Sequence, residues 1–420
     1  MYKYLIFFTL IFIIIIVYYY LNRKNKINNN MSNKKYLVEK ILNDLQLYPI
    51  NYKEFCNKGC MIDDDIYKMD KFKLPSNSLM FNDDFLTLVS KKINFNDNYS
   101  DYILKETVNK DTNIIFIGDI HSSLHSFIQL INTLIEDDIL NTDYKLKDNN
   151  KIVFTGDLID RGPYGMQILL LLFLLVYVNN KGDIIYIKGN HETPEMYNQY
   201  GFGSELENEN TNSNIKMKIK DIIHGLPMAY FVKKNLDEDY YQFCHGGIDE
   251  LMIKTDEIKD FLNYSRRSIY NVDYKVYNGF LWGDFTEMNT PLEGISGNRG
   301  INKIYGKESI RKILDYNNVK CILSGHQDLT PIGVVRNSKK GYFLNLFSEK
   351  FEIDDIYNGE NNELLMTPID NYTKIDTSEI NVVTLSSATI SKDVMYVTYG
   401  KIIMYNDKIE LNKIPINYKI

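Results

Sequence analysis

The stretch from Lys151 to Glu192 constrains the fold most, because twice within it a short β-type run ends at a glycine. The first run, KIVFT, leads into Gly156–Asp157, and the second, IIYIK, leads into Gly189–Asn190. A glycine lets the backbone turn sharply, so the side chains that follow it lie at the edge of a sheet. The stretch therefore predicts two strands that end in residue types able to bind metal ions or phosphate.

The same pattern occurs three more times along the chain. The runs NIIFI, YYQFC and VKCIL are each followed within four residues by a histidine, at His121, His245 and His326. With His191, four of the six histidines follow predicted strands. Chance placement does not explain this concentration, which indicates one site built at strand ends.

The residue types at these strand ends define the chemistry. Aspartate, asparagine and histidine together, with no cysteine required, suit hard or borderline divalent metals such as manganese, iron or zinc. One carboxylate can bridge two such ions. Two-metal sites of this kind serve phosphoryl chemistry, because they activate a water and stabilise charge on the phosphate.

Five motifs carry a family resemblance. In chain order, GDIH, GDLIDRG, IKGNHE, HGG and GHQ resemble the motifs of the metallophosphoesterases. More narrowly, GNHETPEMYNQYGF and IIHGLPMAYFV are similar to segments of the phosphoprotein phosphatase family of serine/threonine phosphatases. The resemblance covers roughly Asn113 to Tyr405. It implies an α/β fold, a metallophosphoesterase-type β-sandwich flanked by helices, with the site at the strand ends.

The resemblance also implies ligands for two divalent metal ions (Mn, Fe or Zn). The first ion would be bound by Asp119, His121 and Asp157, and the second by Asp157, Asn190, His245 and His326. Asp157 would bridge the two, since a carboxylate offers two oxygens and a full negative charge.

Further residues would act on the substrate. By resemblance, His191 protonates the leaving alkoxide, while Asp160 orients this histidine and favours its charged form. Arg161 and Arg299 would bind the phosphate oxygens, a task that suits the guanidinium group.

Two positions depart from the family pattern. Ser122 stands where the family usually has glycine, at the end of the first motif. The closing segment Ser387–Ile390 lacks the tyrosine that borders the family's substrate groove. These departures leave metal binding untouched and bear on substrate preference.

Length and composition set the domain organisation. A chain of 420 residues, 44% of them apolar, is long enough for one sizeable core plus additions. We predict an anchor and polar tether at 1–33, an extension at 34–112, and a catalytic domain at 113–409 with an insertion at about 345–380. The net charge of −7 does not suggest a nucleic-acid-binding face. The four cysteines are predicted to be unlinked thiols, as in a cytosolic setting.

The N-terminal stretch Tyr4–Leu21 is apolar over a length that could span a bilayer as a helix. No small-residue cleavage site follows it, which favours a retained anchor over a signal peptide. Basic residues follow the stretch, beginning with Arg23 and Lys24, while only Lys3 precedes it. The positive-inside tendency then predicts a single-pass membrane protein with its catalytic domain in the cytosol.

Three functions remain open on the sequence alone. The first is a metal-dependent phosphatase acting on phosphoserine or phosphothreonine in proteins. The second is another phosphoesterase of the same fold, such as a dinucleoside-polyphosphate hydrolase, although Glu192 after the GNH motif favours the protein phosphatases. The third is an inactive, membrane-anchored scaffold that binds phosphorylated proteins. The oligomeric state is not indicated.

Overall fold

The computed structural model describes residues 74, 78–93, 103–235, 239–253, 278–286, 289–297, 302–327, 332–336, 343–345, 372–376, 380–387 and 396–415. All of them lie within one unit bounded by Tyr52 and Tyr418, and the other unit, Met1–Asn51 with Lys419–Ile420, holds no described residue. The predicted membrane helix at Tyr4–Leu21, the cysteines Cys56 and Cys60, and Arg299 all lie outside the described residues.

The described part of the chain contains sixteen strands and eight α-helices. The strands are β1 (Ile103–Thr107), β2 (Asn113–Ile117), β3 (Asn150–Phe154), β4 (Ile184–Tyr186), β5 (Ala229–Lys233), β6 (Tyr240–Cys244), β7 (Asp284–Thr286), β8 (Ile295–Ser296), β9 (Lys303–Gly306), β10 (Val319–Ser324), β11 (Ile332–Arg336), β12 (Phe343–Asn345), β13 (Tyr372–Asp376), β14 (Ile380–Leu385), β15 (Tyr396–Ile403) and β16 (Lys408–Pro415). The helices are α1 (Asp83–Ile93), α2 (Leu124–Glu136), α3 (Gly165–Val178), α4 (Pro194–Tyr200), α5 (Phe202–Asn208), α6 (Ser213–His224), α7 (Asn278–Trp282) and α8 (Lys307–Asn317). Short 3₁₀ turns cover Leu79–Phe81 and Glu250–Met252.

Two large sheets form a sandwich. One has the strand order β1-β5-β6-β10-β14-β11-β12, and the other has the order β13-β16-β15-β2-β3-β4. Apolar side chains from both sheets form one buried cluster, in which Phe116 of β2 meets Phe243 of β6 with ring centroids 6.0 Å apart. A second cluster buries the outer face of the first sheet against α7 and α8. A small sheet, β7-β9-β8, completes the described strands. The mixed α/β sandwich predicted from the sequence is confirmed.

All five strands predicted from the glycine-terminated runs are present, as β2, β3, β4, β6 and β10. The strands β2, β3 and β4 are parallel neighbours in one sheet, and β6 and β10 are parallel neighbours in the other. Parallel neighbours end at the same edge of their sheet. The polar residues that follow them are therefore brought together from both sheets.

The apolar run Ile168–Val178 lies within α3, which connects the parallel strands β3 and β4. Every residue from Gly165 to Val176 is buried, as a helix that is apolar on every side requires. Part of its cover comes from α1, in the N-terminal extension. Phe85 packs on Tyr177 with centroids 5.3 Å apart, and Lys92 Nζ donates a hydrogen bond to Tyr177 O at 2.7 Å.

Among the residues that the structure describes, no helix is both long and apolar enough to cross a membrane. Cys244 and Cys321, the two described cysteines, are free and buried, and such thiols pack as small apolar groups.

Candidate metal centre

The residues after the five strands converge on one buried site. The turn after β2 supplies Asp119 and His121, the turn after β3 supplies Asp157, Asp160 and Arg161, the turn after β4 supplies Asn190 and His191, and β6 and β10 are followed by His245 and His326. The six predicted metal ligands are all between 0 and 3% exposed. The structure thus brings them together, as the sequence predicts, although their sequence positions span more than 200 residues.

Asp157 lies at the centre of the site. Its Oδ2 is 3.2 Å from His245 Nε2, 3.5 Å from His121 Nε2 and 4.0 Å from His191 Nε2. Among the described residues, the potential ligand atoms form two groups, within each of which the atoms lie no more than 4.8 Å apart, and Asp157 belongs to both. The groups are His121, Asp157, His191 and Asp119, Asp157, His245. This placement suits a carboxylate shared between two cations.

Backbone carbonyls fix which nitrogen each histidine presents. His121 Nδ1 is 3.2 Å from Ile159 O, and His245 Nδ1 is 3.0 Å from Thr155 O. A hydrogen on Nδ1 donates to the carbonyl, so Nε2 of each ring faces Asp157 with its lone pair. Outer hydrogen bonds of this kind orient histidine ligands in metal sites.

Two polar atoms at the centre show that the residues fit metal ions. His121 Nε2 is fully buried and has no hydrogen-bond partner among the described residues, which is costly for a polar atom unless a ligand satisfies it. The Asn190 side chain places its amide oxygen 2.9 Å from His245 Nε2, beside the Asp157 carboxylate. A rotation of the side chain exchanges the amide oxygen and nitrogen of Asn190, so this residue can offer its oxygen to a cation or donate from its nitrogen to Asp157.

The electrostatics of the metal-free site also favour the binding of a cation. Burial by itself lowers the pKa of His245, but the neighbouring Asp157 and Asp119 carboxylates outweigh it and raise the pKa to about 9. Burial lowers the pKa of His121 well below its ordinary value. Burial would raise the pKa of Asp157, but the three surrounding histidines hold it well below its ordinary value. A metal ion would therefore meet an ionised Asp157 and would displace a proton from His245.

Much of the backbone around the site is strained. Left-handed φ angles occur at His121 (48°), Asp157 (51°), Asp160 (70°), Arg161 (65°) and His326 (68°). Each such non-glycine residue costs about 1–3 kcal/mol, and such residues cluster at functional sites. Gly156, with φ of 100°, and Gly189 approach so closely that a Cβ on Gly156 would lie 2.4 Å from Gly189 N. The two loops are thus in direct backbone contact.

Ser122 also has a left-handed backbone, with φ of 58°. Its side chain is buried, and its hydroxyl finds no hydrogen-bond partner in the described part of the chain. The turn still forms, because Ser122 N donates to Leu158 O at 2.8 Å. The serine that replaces the family's usual glycine is therefore accommodated, with strain.

His191 is held by Asp160. His191 Nδ1 lies 2.7 Å from Asp160 Oδ2, and Asp160 Oδ1 accepts a hydrogen bond from Phe202 N at 2.9 Å. Burial raises the pKa of Asp160, while the hydrogen bond from His191 opposes the rise. On the other side of the ring, His191 Nε2 is 3.4 Å from a guanidinium nitrogen of Arg161. The predicted pairing of His191 with Asp160 is present; Arg299, the other predicted phosphate-binding residue, lies outside the described residues.

Glu192 holds the two central loops together, a role that the sequence did not indicate. Its Oε2 accepts hydrogen bonds from Gly189 N at 2.7 Å and Asp157 N at 2.8 Å, and its Oε1 accepts from Tyr186 Oη at 2.7 Å and Leu158 N at 3.0 Å. Asp157 in turn accepts from His191 N at 2.9 Å. Burial raises the pKa of Glu192, but four donors favour its charged form. The available signal in the sequence was an acidic residue directly after the predicted site residue His191.

Replacing Glu192 with glutamine is expected to weaken the site without unfolding the protein. The amide turns one hydrogen-bond donor toward the backbone donors, which costs about 1–3 kcal/mol of unfolding free energy. Displacement of Asp157 should weaken manganese binding by about 10–100-fold, as loss of outer partners of metal ligands does. Titration calorimetry with manganese and urea unfolding in EDTA measure the two effects. Tyr186→Phe, which removes only one of the four donors, is the control, and equal effects of both variants would contradict this role.

Comparison with known proteins identifies the family. The family model of the calcineurin-like phosphoesterases matches residues 112–328, more than half of the 420 residues. The chain belongs to the calcineurin-like phosphoesterase family. The matched region contains all six predicted metal ligands together with His191, Asp160 and both arginines.

The relatives are serine/threonine phosphatases. A putative serine/threonine-protein phosphatase of Caenorhabditis elegans is 27% identical over 50% of this chain and 52% of its own length. The serine/threonine-protein phosphatase 4 catalytic subunit of Saccharomyces cerevisiae is 29% identical over 52% of this chain and 63% of its own length. The chain thus spans between half and two thirds of the length of these relatives.

A solved structure of a protein serine/threonine phosphatase from Saccharomyces cerevisiae has the same fold. It aligns with a TM-score of 0.50 at 18% identity, over 76% of this chain and 80% of its own. At this identity the likeness establishes the fold of a calcineurin-like phosphoesterase and leaves the activity to be inferred from the site.

Proposed function

We propose that this chain is a metal-dependent phosphomonoester hydrolase and, more narrowly, a serine/threonine protein phosphatase. The observation that carries the proposal is the position of Asp157, shared between two buried groups of metal-binding side chains, beside a histidine that is hydrogen-bonded to a carboxylate. The serine/threonine phosphatases among its relatives support the substrate class.

Asp119, His121, Asp157, Asn190, His245 and His326 would hold two divalent ions, of manganese, iron or zinc. When bound, such ions supply Lewis acidity toward phosphate oxygens and lower the pKa of a water. The protein's part is to present the ligands at fixed orientations and to exclude bulk water, which the near-complete burial of all six side chains achieves.

The remaining residues would act on the phosphate and the leaving group. Arg161 would bind phosphate oxygens through its guanidinium group, and Arg299 stays a prediction for the same role. His191 would hold a proton at Nε2, on the side of Arg161, and deliver it to the departing serine or threonine oxygen. Asp160 would keep the other ring nitrogen protonated and the ring fixed.

Membrane attachment through Tyr4–Leu21, with the catalytic domain facing the cytosol, remains a prediction from the sequence, as does the assignment of phosphorylated proteins as partners. The inactive scaffold and the dinucleoside-polyphosphate hydrolase are the competing functions. A complete set of buried metal-binding side chains with an intact His191–Asp160 pair favours an active enzyme over a scaffold.

The full-length protein, assayed with manganese, is expected to hydrolyse phosphoserine and phosphothreonine peptides and to lose this activity in EDTA. Release of inorganic phosphate is measured in parallel with diadenosine tetraphosphate as the competing substrate. Faster hydrolysis of the dinucleotide would transfer the proposal to the other phosphoesterase class. Absence of any hydrolysis, in protein that binds two manganese ions, would favour the scaffold.

A further inference from the structure

The small sheet is fastened to the turn that carries His326. Gln327 Oε1 accepts a hydrogen bond from Phe285 N at 3.1 Å, and Gln327 Nε2 donates to Phe285 O, also at 3.1 Å. The Trp282 ring meets His326 edge-on, with centroids 5.6 Å apart and an angle of 87° between the planes. These contacts place β7 directly against the metal centre.

His326 presents a different nitrogen to the centre than the other histidines do. Its Nδ1 lies 3.1 Å from His245 Nε2, whereas His121 and His245 direct Nε2 toward Asp157. A neutral imidazole carries one hydrogen. For Nδ1 of His326 to offer a lone pair beside His245, that hydrogen must be on Nε2.

The group that faces His326 Nε2 is the carboxylate of Asp284, at the start of β7. The distance from Nε2 to Asp284 Oδ1 is 3.8 Å, which is an electrostatic contact rather than a hydrogen bond. Both side chains are largely shielded from solvent, at 1% and 14% exposed, so the attraction between an N–H dipole and a carboxylate is poorly screened.

Asp284 is itself held from the neighbouring strand. Asn302 Nδ2 donates to Asp284 Oδ2 at 2.5 Å, and Asn302 is 5% exposed. Asn302 directly precedes β9, whose Ile304 pairs with Asp284. The amide therefore fixes the carboxylate on a rigid element, with its second oxygen directed at the imidazole.

We propose that Asp284 is a positioning residue for His326, which keeps the hydrogen of the imidazole on Nε2 and presents Nδ1 to a bound metal ion. Asn302 holds the carboxylate in place for this task. The inference rests on the proposed metal-dependent function, because it assigns His326 as a ligand.

A purely structural role is the competing explanation, since the bond from Asn302 to Asp284 also joins β9 to β7. Exchanging the two side chains separates the roles. In the double variant Asp284→Asn/Asn302→Asp, an amide and a carboxylate still meet between the strands, but the charge is moved away from His326. The exchange therefore restores the hydrogen bond between the strands, but it does not restore the negative charge beside His326.

The test uses the full-length protein with manganese alone as the probe. Calorimetry at neutral pH measures affinity for each ion, and urea unfolding in EDTA measures the stability of the metal-free protein. Asp284→Asn is expected to weaken the binding of one of the two ions by about tenfold, the lower end of the effect of outer partners of metal ligands. The exchanged double variant should recover the stability of the wild type and keep the tenfold loss.

Recovery of wild-type manganese affinity by the exchange would overturn the proposal while leaving the proposed function intact. Absence of manganese binding by the wild-type protein would overturn both. A second readout does not depend on the stability of the double variant: in long-range ¹H–¹⁵N spectra of the metal-free protein, His326 should carry its hydrogen on Nε2 in the wild type. The same tautomer population in Asp284→Asn would contradict the role of the carboxylate.

Discussion

Replacing His191 with asparagine is expected to lower kcat by about 10²–10⁴-fold, the range for loss of a general acid. His191 Nδ1 is fixed by Asp160 at 2.7 Å, and its Nε2 lies next to the Arg161 guanidinium, where phosphate would bind. Asparagine cannot donate a proton with a suitable pKa from that point. The leaving alkoxide would then depart without protonation, and the chemical step would slow while the phosphate contacts of Arg161 remain.

The metal content of this variant decides between two roles for His191. Its side chain also belongs to one of the two groups of donor atoms around Asp157. If His191 is a general acid, the variant should still bind two manganese ions per chain. If His191 is a metal ligand, the variant should bind only one. His224→Asn, the same substitution on α6 outside the site, is the control and should retain wild-type activity. A His191→Asn variant within tenfold of wild-type kcat, or one that binds a single ion, would contradict the assignment.

The strands and the site could be predicted from the sequence because their signals are local. Each of the five runs is apolar over about five residues and ends near a glycine, so β2, β3, β4, β6 and β10 were recognisable without knowledge of their partners. Parallel neighbours then bring their carboxyl ends to one edge, which makes the convergence of the polar residues a consequence of topology.

The surroundings of the site could not be predicted, because they depend on contacts between distant segments. Asp119 accepts a hydrogen bond from His326 N, 207 positions further along the chain, and lies in one donor group with His245 rather than with the adjacent His121. Glu192 was recognisable as part of a motif, but its four bonds depend on the left-handed turn at Asp157. Nothing local in Asn302 indicates that it holds Asp284.

The packing of α3 shows the same division between local and distant information. Its apolar run indicates a helix that is buried on all sides, because a helix without a polar face must be packed against the protein on every face. The sequence did not show that α1, from the N-terminal extension, supplies part of that cover through Phe85 and Lys92.

Replacing Asp157 with asparagine is expected to abolish binding of both metal ions and, with it, the activity. The substitution preserves shape and can still accept the hydrogen bond from His191 N, but it removes the negative charge that both donor groups share. The loss in manganese affinity should exceed the roughly 10–100-fold that outer partners of metal ligands contribute. Asp221→Asn, at an exposed position of α6, is the matched control.

The same substitution should change how the stability of the metal-free protein depends on pH. The folded-state pKa of His245 is raised from 6.5 to about 9, chiefly by Asp157, against the opposing effect of burial. A raised pKa contributes stability that is fully present below about pH 6.5 and is lost as the pH rises through 9; a shift of this size corresponds to roughly 3 kcal/mol. Urea unfolding in EDTA should therefore show that the wild-type protein loses stability across this window. In Asp157→Asn the pKa of His245 falls, so the loss across the window should be much smaller. Equal pH dependence in both proteins would mean that Asp157 does not control the charge of His245, and the central position of its carboxylate would lose its electrostatic support.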